Sequence, residues 1–235
     1  MSEYGYILKN YNDVKLNIEE AKKEINSSKD VCLVAVSKNN SIEKIEFLAK
    51  NGVKDFGENK VQELLPKVEA LEKYKIDWHF IGHLQKNKVK YVIGKVKYIH
   101  SVDSIELAEI IDKESKKRDI VTNIFLQVNI GKDFNKFGFE EKEVKKVFES
   151  IDKLDNIRVV GLMTILPILD DIQNVESLYQ KMYAILLDIC ANLIDNSSEL
   201  YLSMGMSNDY ALAIKNGANF VRVGTSVFGK NIQEE

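Results

Sequence analysis

VCLVAVSKNN, residues 31–40, decides the fold of this chain. Its first six residues are apolar, and such a run predicts a strand buried on both faces, as in parallel sheets. A doubly wound sheet usually continues from its first strand into a glycine-rich G-x-G-x-x-G turn. Here Ser37, Lys38, Asn39 and Asn40 follow the strand, and none of them is a glycine. The stretch therefore favours the other common parallel architecture, a closed barrel.

Seven further short apolar runs alternate with longer segments in which apolar side chains recur every three to four residues. The runs predict strands, and the longer segments predict amphipathic helices. Including the first, the predicted strands span residues 31–36, 53–56, 78–81, 98–102, 123–129, 157–162, 200–202 and 220–223. Because parallel neighbours need a crossover, eight such units in about 200 residues predict an α/β protein with a (β/α)8 TIM-type barrel. We expect a single domain over residues 1–235, with an extra N-terminal helix within residues 4–29.

Three local expectations accompany this topology. A helix over residues 58–73 should kink or break at Pro66, because proline lacks an N–H group and clashes with the preceding turn. Asp103 should cap the helix after the fourth strand, with Glu106 as its capping-box partner. A long helix over residues 171–195 should follow the sixth strand.

The composition is that of an ordinary globular protein, with 45% of the 235 residues hydrophobic and 29% charged. With 33 basic and 36 acidic side chains, the net charge of −3 gives no electrostatic reason to expect nucleic acid or an anionic membrane as a partner. No apolar run approaches the roughly 20 residues of a membrane span, and residues 1–30 contain no apolar signal core, so we expect a cytoplasmic protein. We also expect a monomer, since no exposed apolar segment is evident, and reduced thiols at Cys32 and Cys190.

Ligands of such barrels bind at the C-terminal ends of the strands. Lys38 closes the first strand, where burial would leave its amine available as a nucleophile; alternatively, it extends from the strand end into solvent. The segments that close the seventh and eighth strands contain Ser203, Ser207, Gly224 and Thr225. Barrels often bind phosphate at this place, although both segments also fit ordinary strand–helix turns.

Arg222 alternates with two valines on the eighth strand, so its side chain points opposite to theirs. A barrel-facing arginine is costly unless paired, which suggests either a ligand atom beside the guanidinium or a salt bridge across the bottom of the barrel. The histidines show no metal-like spacing. His79 and His100 fall within strands and are interpreted as core or rim residues, whereas His83 is placed in a loop where it could touch a ligand.

Six segments together form a specific pattern. They are residues 35–38 (AVSK), 56–63 (FGENKVQE), 78–88 (WHFIGHLQKNK), 161–164 (GLMT), 202–209 (LSMGMSND) and 221–229 (VRVGTSVFG). In this order, and over nearly the whole chain, the pattern resembles the pyridoxal phosphate homeostasis proteins, a family that binds pyridoxal 5′-phosphate (PLP). The resemblance implies the barrel fold of the alanine racemase N-terminal domain.

The same resemblance implies a role for nine residues. Lys38 would hold PLP as a Schiff base, Asn59 would lie near the cofactor ring, and Met163 would lie at the pocket wall. Arg222 would face the pyridine nitrogen. The phosphate would be held by Ser203, Met206, Ser207, Gly224 and Thr225.

The resemblance favours a protein of vitamin B6 homeostasis that stores PLP or passes it to apo-enzymes and has no dedicated turnover. The alternative is a PLP-dependent amino-acid racemase-like enzyme with weak activity. Arginine beside the ring nitrogen disfavours protonation of that nitrogen, which weakens PLP as an electron sink and argues against the enzyme. A third hypothesis is a barrel enzyme for a phosphorylated metabolite that does not use PLP.

Overall fold

A computed structural model describes residues 3–133, 136–167, 171–191 and 199–229. Eight parallel strands close into a barrel in chain order, and the last strand pairs with the first. The strands are β1 (Cys32–Val36), β2 (Asp55–Glu58), β3 (Asp77–Phe80), β4 (Tyr98–Val102), β5 (Thr122–Gln127), β6 (Ile157–Met163), β7 (Tyr201–Ser203) and β8 (Phe220–Val223). The predicted (β/α)8 barrel is confirmed.

Helices surround the barrel on its outer side. Those of the described residues are α1 (Gly5–Glu24), α2 (Ile42–Lys50), α3 (Val61–Ala70), α4 (Val89–Val92), α5 (Ile105–Lys116), α6 (Val144–Ile151), α7 (Ile172–Cys190), α8 (Tyr210–Lys215) and α9 (Thr225–Phe228). The extra N-terminal helix, α1, packs on α8 and α9, where Asn17 Nδ2 donates to Tyr210 Oη over 3.0 Å. Single 3₁₀ turns occur at Glu72–Tyr74, Lys86–Lys88 and Glu141–Glu143. In the part of the chain that the structure describes, no helix has both the length and the apolar character needed to span a membrane.

Two of the local expectations are corrected. Of the kink or break predicted at Pro66, the break is wrong, because α3 runs through this residue. Proline removes one backbone hydrogen bond there, and burial of Val61 and Leu64 on the same helix outweighs that loss. The cap of α5 is Ser104 rather than Asp103, since the Ser104 hydroxyl accepts the Leu107 N–H over 3.3 Å. The predicted continuation of α7 over residues 192–195 lies outside the described residues.

Two buried histidines occupy the barrel interior, as the sequence predicts. His79 Nδ1 lies 2.9 Å from His100 Nε2, and neither side chain is exposed. The His100 ring stacks on Phe125, and Phe220 meets it edge-on. Burial in this aromatic surrounding lowers the pKa of both histidines, so both are neutral near pH 7.

A buried ion pair supports the end of β1. Glu58, the last residue of β2, accepts a hydrogen bond over 2.7 Å from Lys67 of α3. Lys67 also donates to the backbone carbonyl of Ser37 over 2.9 Å, and the Ser37 hydroxyl donates to Glu58 over 2.6 Å. Burial raises the pKa of Glu58, and the hydrogen bonds from Lys67 and Ser37 partly oppose this effect. The pair therefore fixes the residue that precedes Lys38.

The Lys67→Met variant should lose about 3–5 kcal/mol of unfolding free energy, because it leaves the buried Glu58 carboxylate without its cationic partner. Adding Glu58→Gln removes the second charge and should recover most of that loss. Urea unfolding checks both variants. The matched control is Lys60→Met, which removes an exposed partner of Glu63 and should cost at most about 1 kcal/mol. Equal losses in Lys67→Met and Lys60→Met would contradict a stabilising role for the buried pair.

The unfolding free energy should fall as the pH drops below about 6.5, the pKa of an unfolded histidine. The folded pKa values of His79 and His100 are depressed, so the unfolded chain takes up protons first. Each histidine should contribute a slope of up to about 1.4 kcal/mol per pH unit between its unfolded and folded pKa. Urea unfolding between pH 5.5 and 7 measures this slope. A folded His79→Gln/His100→Gln variant with an unchanged slope would show that other groups cause it.

Candidate functional site

A cavity of about 790 Å³ opens at the C-terminal ends of the strands. This is the end of the barrel at which the sequence predicts a ligand. Seven of the nine predicted site residues line it: Lys38, Asn59, Met206, Ser207, Arg222, Gly224 and Thr225. The structure thus gathers residues from four strand ends that are up to 187 positions apart in sequence (225 minus 38).

Lys38 lies in the turn after β1, and its side chain is exposed. The expectation of a lysine buried at the strand end is therefore wrong, because the chain turns outward directly after Ser37. Asn40 Nδ2 donates to the carbonyl of Lys38 over 3.0 Å, and the buried pair holds Ser37 on the other side. Among the described residues, the Lys38 amine has no hydrogen-bond or ion-pair partner. The backbone is thus fixed while the amine stays free to react.

Asn59 follows β2 and contributes an unsatisfied polar atom to the site. Its Oδ1 is buried and has no hydrogen-bond partner in the structure. Gly82, after β3, packs directly against it, and a Cβ atom at Gly82 would lie 2.1 Å from the Asn59 carbonyl oxygen. A glycine is therefore required there, and it holds the Asn59 backbone at the cavity wall. Sequence reasoning quoted Gly82 in a motif but gave it no role.

The segments after β7 and β8 are joined by one hydroxyl. Ser207 Oγ accepts the backbone N–H groups of Gly224 over 3.3 Å and Ser226 over 3.4 Å. Both distances are longer than the usual N–H···O distance of about 2.9–3.0 Å. Met206 and Thr225 are exposed at the rim of the same region. N–H and O–H donors thus converge at the place where the sequence predicts phosphate.

Arg222 lies at the cavity wall with its side chain almost completely buried. It donates through Nη1 to Ser203 Oγ and through Nη2 to the Thr164 carbonyl, each over 2.7 Å. No carboxylate of the described residues lies within ion-pair distance of it. Burial lowers its pKa to about 10, so the guanidinium remains cationic at neutral pH. Of the two sequence interpretations, the salt bridge across the bottom of the barrel is therefore wrong, and the remaining N–H groups are available to a ligand.

Ser203 and Met163 are not among the side chains that line the cavity. Ser203 is fully buried, with its hydroxyl between Arg222 and His100. Met163 packs inside the barrel with Phe125 and Phe220. Both residues lie on the inner face of the barrel, where they support the site without lining the cavity. The phosphate contact of Ser203 and the wall position of Met163 implied by the resemblance are not reproduced.

Asp209 lines the cavity, and the sequence reasoning missed it. Its carboxylate accepts the Tyr179 hydroxyl over 2.8 Å and the Met206 backbone N–H over 2.6 Å. Burial and the nearby Asp209 charge raise the pKa of Tyr179, so the phenol stays a proton donor. Asp209 thereby shapes the turn that carries Met206 and Ser207. The only sequence signal was its place at the end of the LSMGMSND segment.

His83 does not line this cavity. Its Nδ1 lies 3.0 Å from an Asp103 oxygen, and its ring stacks on Phe137 with 3.8 Å between centroids. It borders a separate hollow of about 390 Å³, together with Asp103 and Gln85. The predicted contact between His83 and a ligand therefore does not concern the main cavity.

Comparison with known proteins identifies the family to which this chain is similar. Residues 10–232 match the family model of the alanine racemase N-terminal domain. The chain is 42% identical over 198 residues to the pyridoxal phosphate homeostasis protein of Aquifex aeolicus, across 84% of this chain and 86% of that protein.

Two solved structures share the fold over most of their length. An unknown protein from Bifidobacterium adolescentis has a TM-score of 0.91 and 30% identity, over 97% of both chains. PipY of Synechococcus elongatus, determined with PLP bound, has a TM-score of 0.78 and 31% identity, over 90% of this chain and 100% of that one. This chain therefore belongs to the pyridoxal phosphate homeostasis protein family, which shares the fold of the alanine racemase N-terminal domain.

Proposed function

We propose that this protein binds PLP in the cavity at the C-terminal ends of the strands and serves intracellular PLP homeostasis. Lys38 holds the cofactor covalently, and the protein has no dedicated catalytic turnover. The observation that carries the proposal is the presence, in one cavity, of an unpartnered primary amine and a buried arginine that has no carboxylate of the described residues within ion-pair distance. The relatives named as homeostasis proteins and the PLP-bound PipY structure support the same conclusion.

The residues present fit PLP. A cavity of about 790 Å³ is in the usual range for small-ligand sites, which is about 300–1,000 Å³. The buried Oδ1 of Asn59 needs a hydrogen-bond donor, and a polar ring substituent supplies one. The long bonds from Gly224 and Ser226 to Ser207 can be exchanged for shorter ones to phosphate oxygens, which are stronger acceptors.

PLP, when bound, supplies an aldehyde that condenses reversibly with a primary amine. In this protein the side chains then have distinct tasks. Lys38 provides the amine from an exposed position, where an incoming amine can also reach it. Arg222 presents a fixed cation, which opposes protonation of a neighbouring ring nitrogen and so weakens electron withdrawal by the ring. The rim residues Ser207, Gly224 and Thr225 bind the phosphate and orient the ring.

The cavity offers little support for a racemase that uses two side chains as bases. Among the described residues that line it, the ionisable side chains are Lys38, Asp209 and Arg222. Asp209 already accepts two hydrogen bonds, and a buried guanidinium is not a base at neutral pH. We therefore propose a carrier rather than a racemase. Racemase turnover at ordinary enzyme rates, about 1–1,000 per second, would overturn this part of the proposal.

The proposal extends to a cytoplasmic monomer that passes PLP to apo-enzymes. Exposed large apolar side chains of the described residues are scattered over several elements rather than gathered in one face, for example Leu16 on α1, Tyr91 on α4 and Leu187 on α7. Light scattering tests the oligomeric state, and activation of a PLP-requiring apo-enzyme by the loaded protein tests the transfer.

Purified protein mixed with PLP should develop a visible Schiff-base band, and borohydride reduction should trap the adduct on Lys38. Lys38→Ala should abolish the trapped adduct and retain weak, non-covalent PLP binding, because the phosphate and ring contacts remain. Peptide mass mapping after reduction is the measurement. Lys60→Ala is the control, since Lys60 is exposed and follows a cavity residue. An adduct that persists in Lys38→Ala would identify another lysine as the attachment site.

Arg222→Glu should shift the absorbance of bound PLP, because it replaces a cation near the ring by a group that favours a protonated ring nitrogen. Arg222→Gln should give a smaller shift in the same direction. Arg158→Glu makes the same charge change at an exposed position and should leave the spectrum unchanged. Identical spectra for the wild type and both Arg222 variants would show that the Arg222 charge does not affect the ring nitrogen of bound PLP.

A further inference from the structure

A continuous chain of hydrogen bonds runs through the barrel interior from the cavity to the opposite end. Arg222 Nη1 lies 2.7 Å from Ser203 Oγ, which lies 2.8 Å from His100 Nδ1. His100 Nε2 lies 2.9 Å from His79 Nδ1, and His79 Nε2 lies 3.1 Å from Asp55 Oδ1. The five side chains come from five strands. All except Asp55 are buried.

The two ends of this hydrogen-bond chain, Arg222 and Asp55, determine which atom of each pair carries the hydrogen. A guanidinium only donates hydrogen bonds, and an ionised carboxylate only accepts them. Burial raises the pKa of Asp55, but the interactions with His79, Lys97 and Cys32 together outweigh burial and lower the net pKa, so Asp55 is ionised. Ser203 then accepts from Arg222 and donates its single hydrogen to His100 Nδ1. His100 donates through Nε2 to His79, and His79 donates through Nε2 to Asp55.

The opposite direction leaves groups unsatisfied. If His100 donated through Nδ1, Ser203 would accept twice, and its own hydrogen would have no acceptor among the described residues. His79 would then present an unprotonated Nε2 to the Asp55 carboxylate, which is repulsive. A metal ion bound by Cys32, Asp55 and His79, whose ligand atoms lie within 4.8 Å of one another, would impose this reversed direction. Proton counting therefore favours a hydrogen-bonded Asp55 over a metal site there.

We propose that Asp55, His79, His100 and Ser203 form a directed hydrogen-bond chain that positions the Arg222 guanidinium in the cavity. His79 and His100 are then positioning residues for a ligand they do not touch, and Asp55 sets the direction from the far end of the barrel. Only the consequence for PLP rests on the function proposed above; the direction of the chain does not.

The hydrogen-bond chain stabilises the charge of Arg222 and also restricts its orientation. The hydrogen of Ser203 is committed to His100, so its oxygen lone pairs face the guanidinium and stabilise the cation. Ser203 is itself held by the buried His100 ring, which stacks on Phe125. Rotation of the guanidinium would therefore break its hydrogen bond to Ser203 and disturb the hydrogen bonds beyond it. Loss of any member should loosen Arg222 without removing a residue that lines the cavity.

Nitrogen-15 NMR of the full-length protein without PLP tests the direction. The sequence contains only three histidines, His79, His83 and His100, and three arginines, Arg118, Arg158 and Arg222. His79 and His100 should both be neutral at pH 7 with the proton on Nε2, and Arg222 should show slowly exchanging guanidinium protons. A proton on Nδ1 of either residue, or a charged ring, would overturn the proposal.

Two variants test the coupling to Arg222. His100→Phe interrupts the chain within the aromatic core, and Asp55→Asn changes only its half-exposed end, so the second variant serves if the first does not fold. Both should shift the guanidinium signals of Arg222 and leave those of Arg158 in place. Asp77→Asn removes a carboxylate from the same barrel end, where it pairs with Lys97 outside the chain. An equal Arg222 shift in Asp77→Asn would reduce the effect to general electrostatics and overturn the proposal.

PLP titration, followed by absorbance, tests the consequence. Asp55→Asn and His100→Phe should lower PLP affinity by about tenfold, the size of one hydrogen bond to a charged group. Asp77→Asn should leave the affinity unchanged. A PLP affinity equal to that of the wild type in both Asp55→Asn and His100→Phe would overturn the positioning role. Absence of PLP binding in the wild type would instead overturn the proposed function, and the NMR result would still decide the direction of the chain.

Discussion

The buried guanidinium of Arg222 is the constraint on which the site depends. A charge taken out of water is costly unless hydrogen bonds replace the lost hydration. Here the replacement comes from the Thr164 carbonyl and the Ser203 hydroxyl, with no carboxylate of the described residues in ion-pair distance. Ser203 accepts from Arg222 and also bonds a partner of its own, His100. A polar path through an otherwise apolar barrel interior follows from that single charge.

The end of β1, the strand that pairs with β8, contributes to the cavity in a different way. There the reactive group, the Lys38 amine, is exposed, and the structure fixes only the backbone that carries it. The buried Glu58–Lys67 pair holds Ser37. The cavity therefore combines a buried, hydrogen-bonded cation with an exposed amine on a turn whose backbone is held by hydrogen bonds. Such a division suits a ligand whose ring must be held while its covalent bond remains open to exchange.

The sequence predicted the elements better than the contacts between them. Alternating short and long apolar patterns were sufficient for eight strands and for an inward-facing Arg222, because both follow from local periodicity. The position of His79 and His100 within predicted strands suggested that they are core or rim residues. Their bond to each other depends on register, since His79 pairs with Tyr98 in the sheet and His100 lies two residues further on the same face. The roles of Ser203 and Lys67 likewise depend on partners 19 and 9 positions away, respectively, which periodicity cannot identify.

The arrangement also bears on the proposal that the cofactor is stored rather than used in catalysis. An enzyme that moves protons on a bound substrate needs a base free to change its protonation state near the reacting atom. In this cavity Asp209 is committed to two donors and Arg222 is held as a cation. The titratable histidines lie below the cavity, where burial keeps them neutral. In the proposed function, the exposed Lys38 amine would form and release the covalent bond, and one such group is sufficient for the proposed binding and transfer.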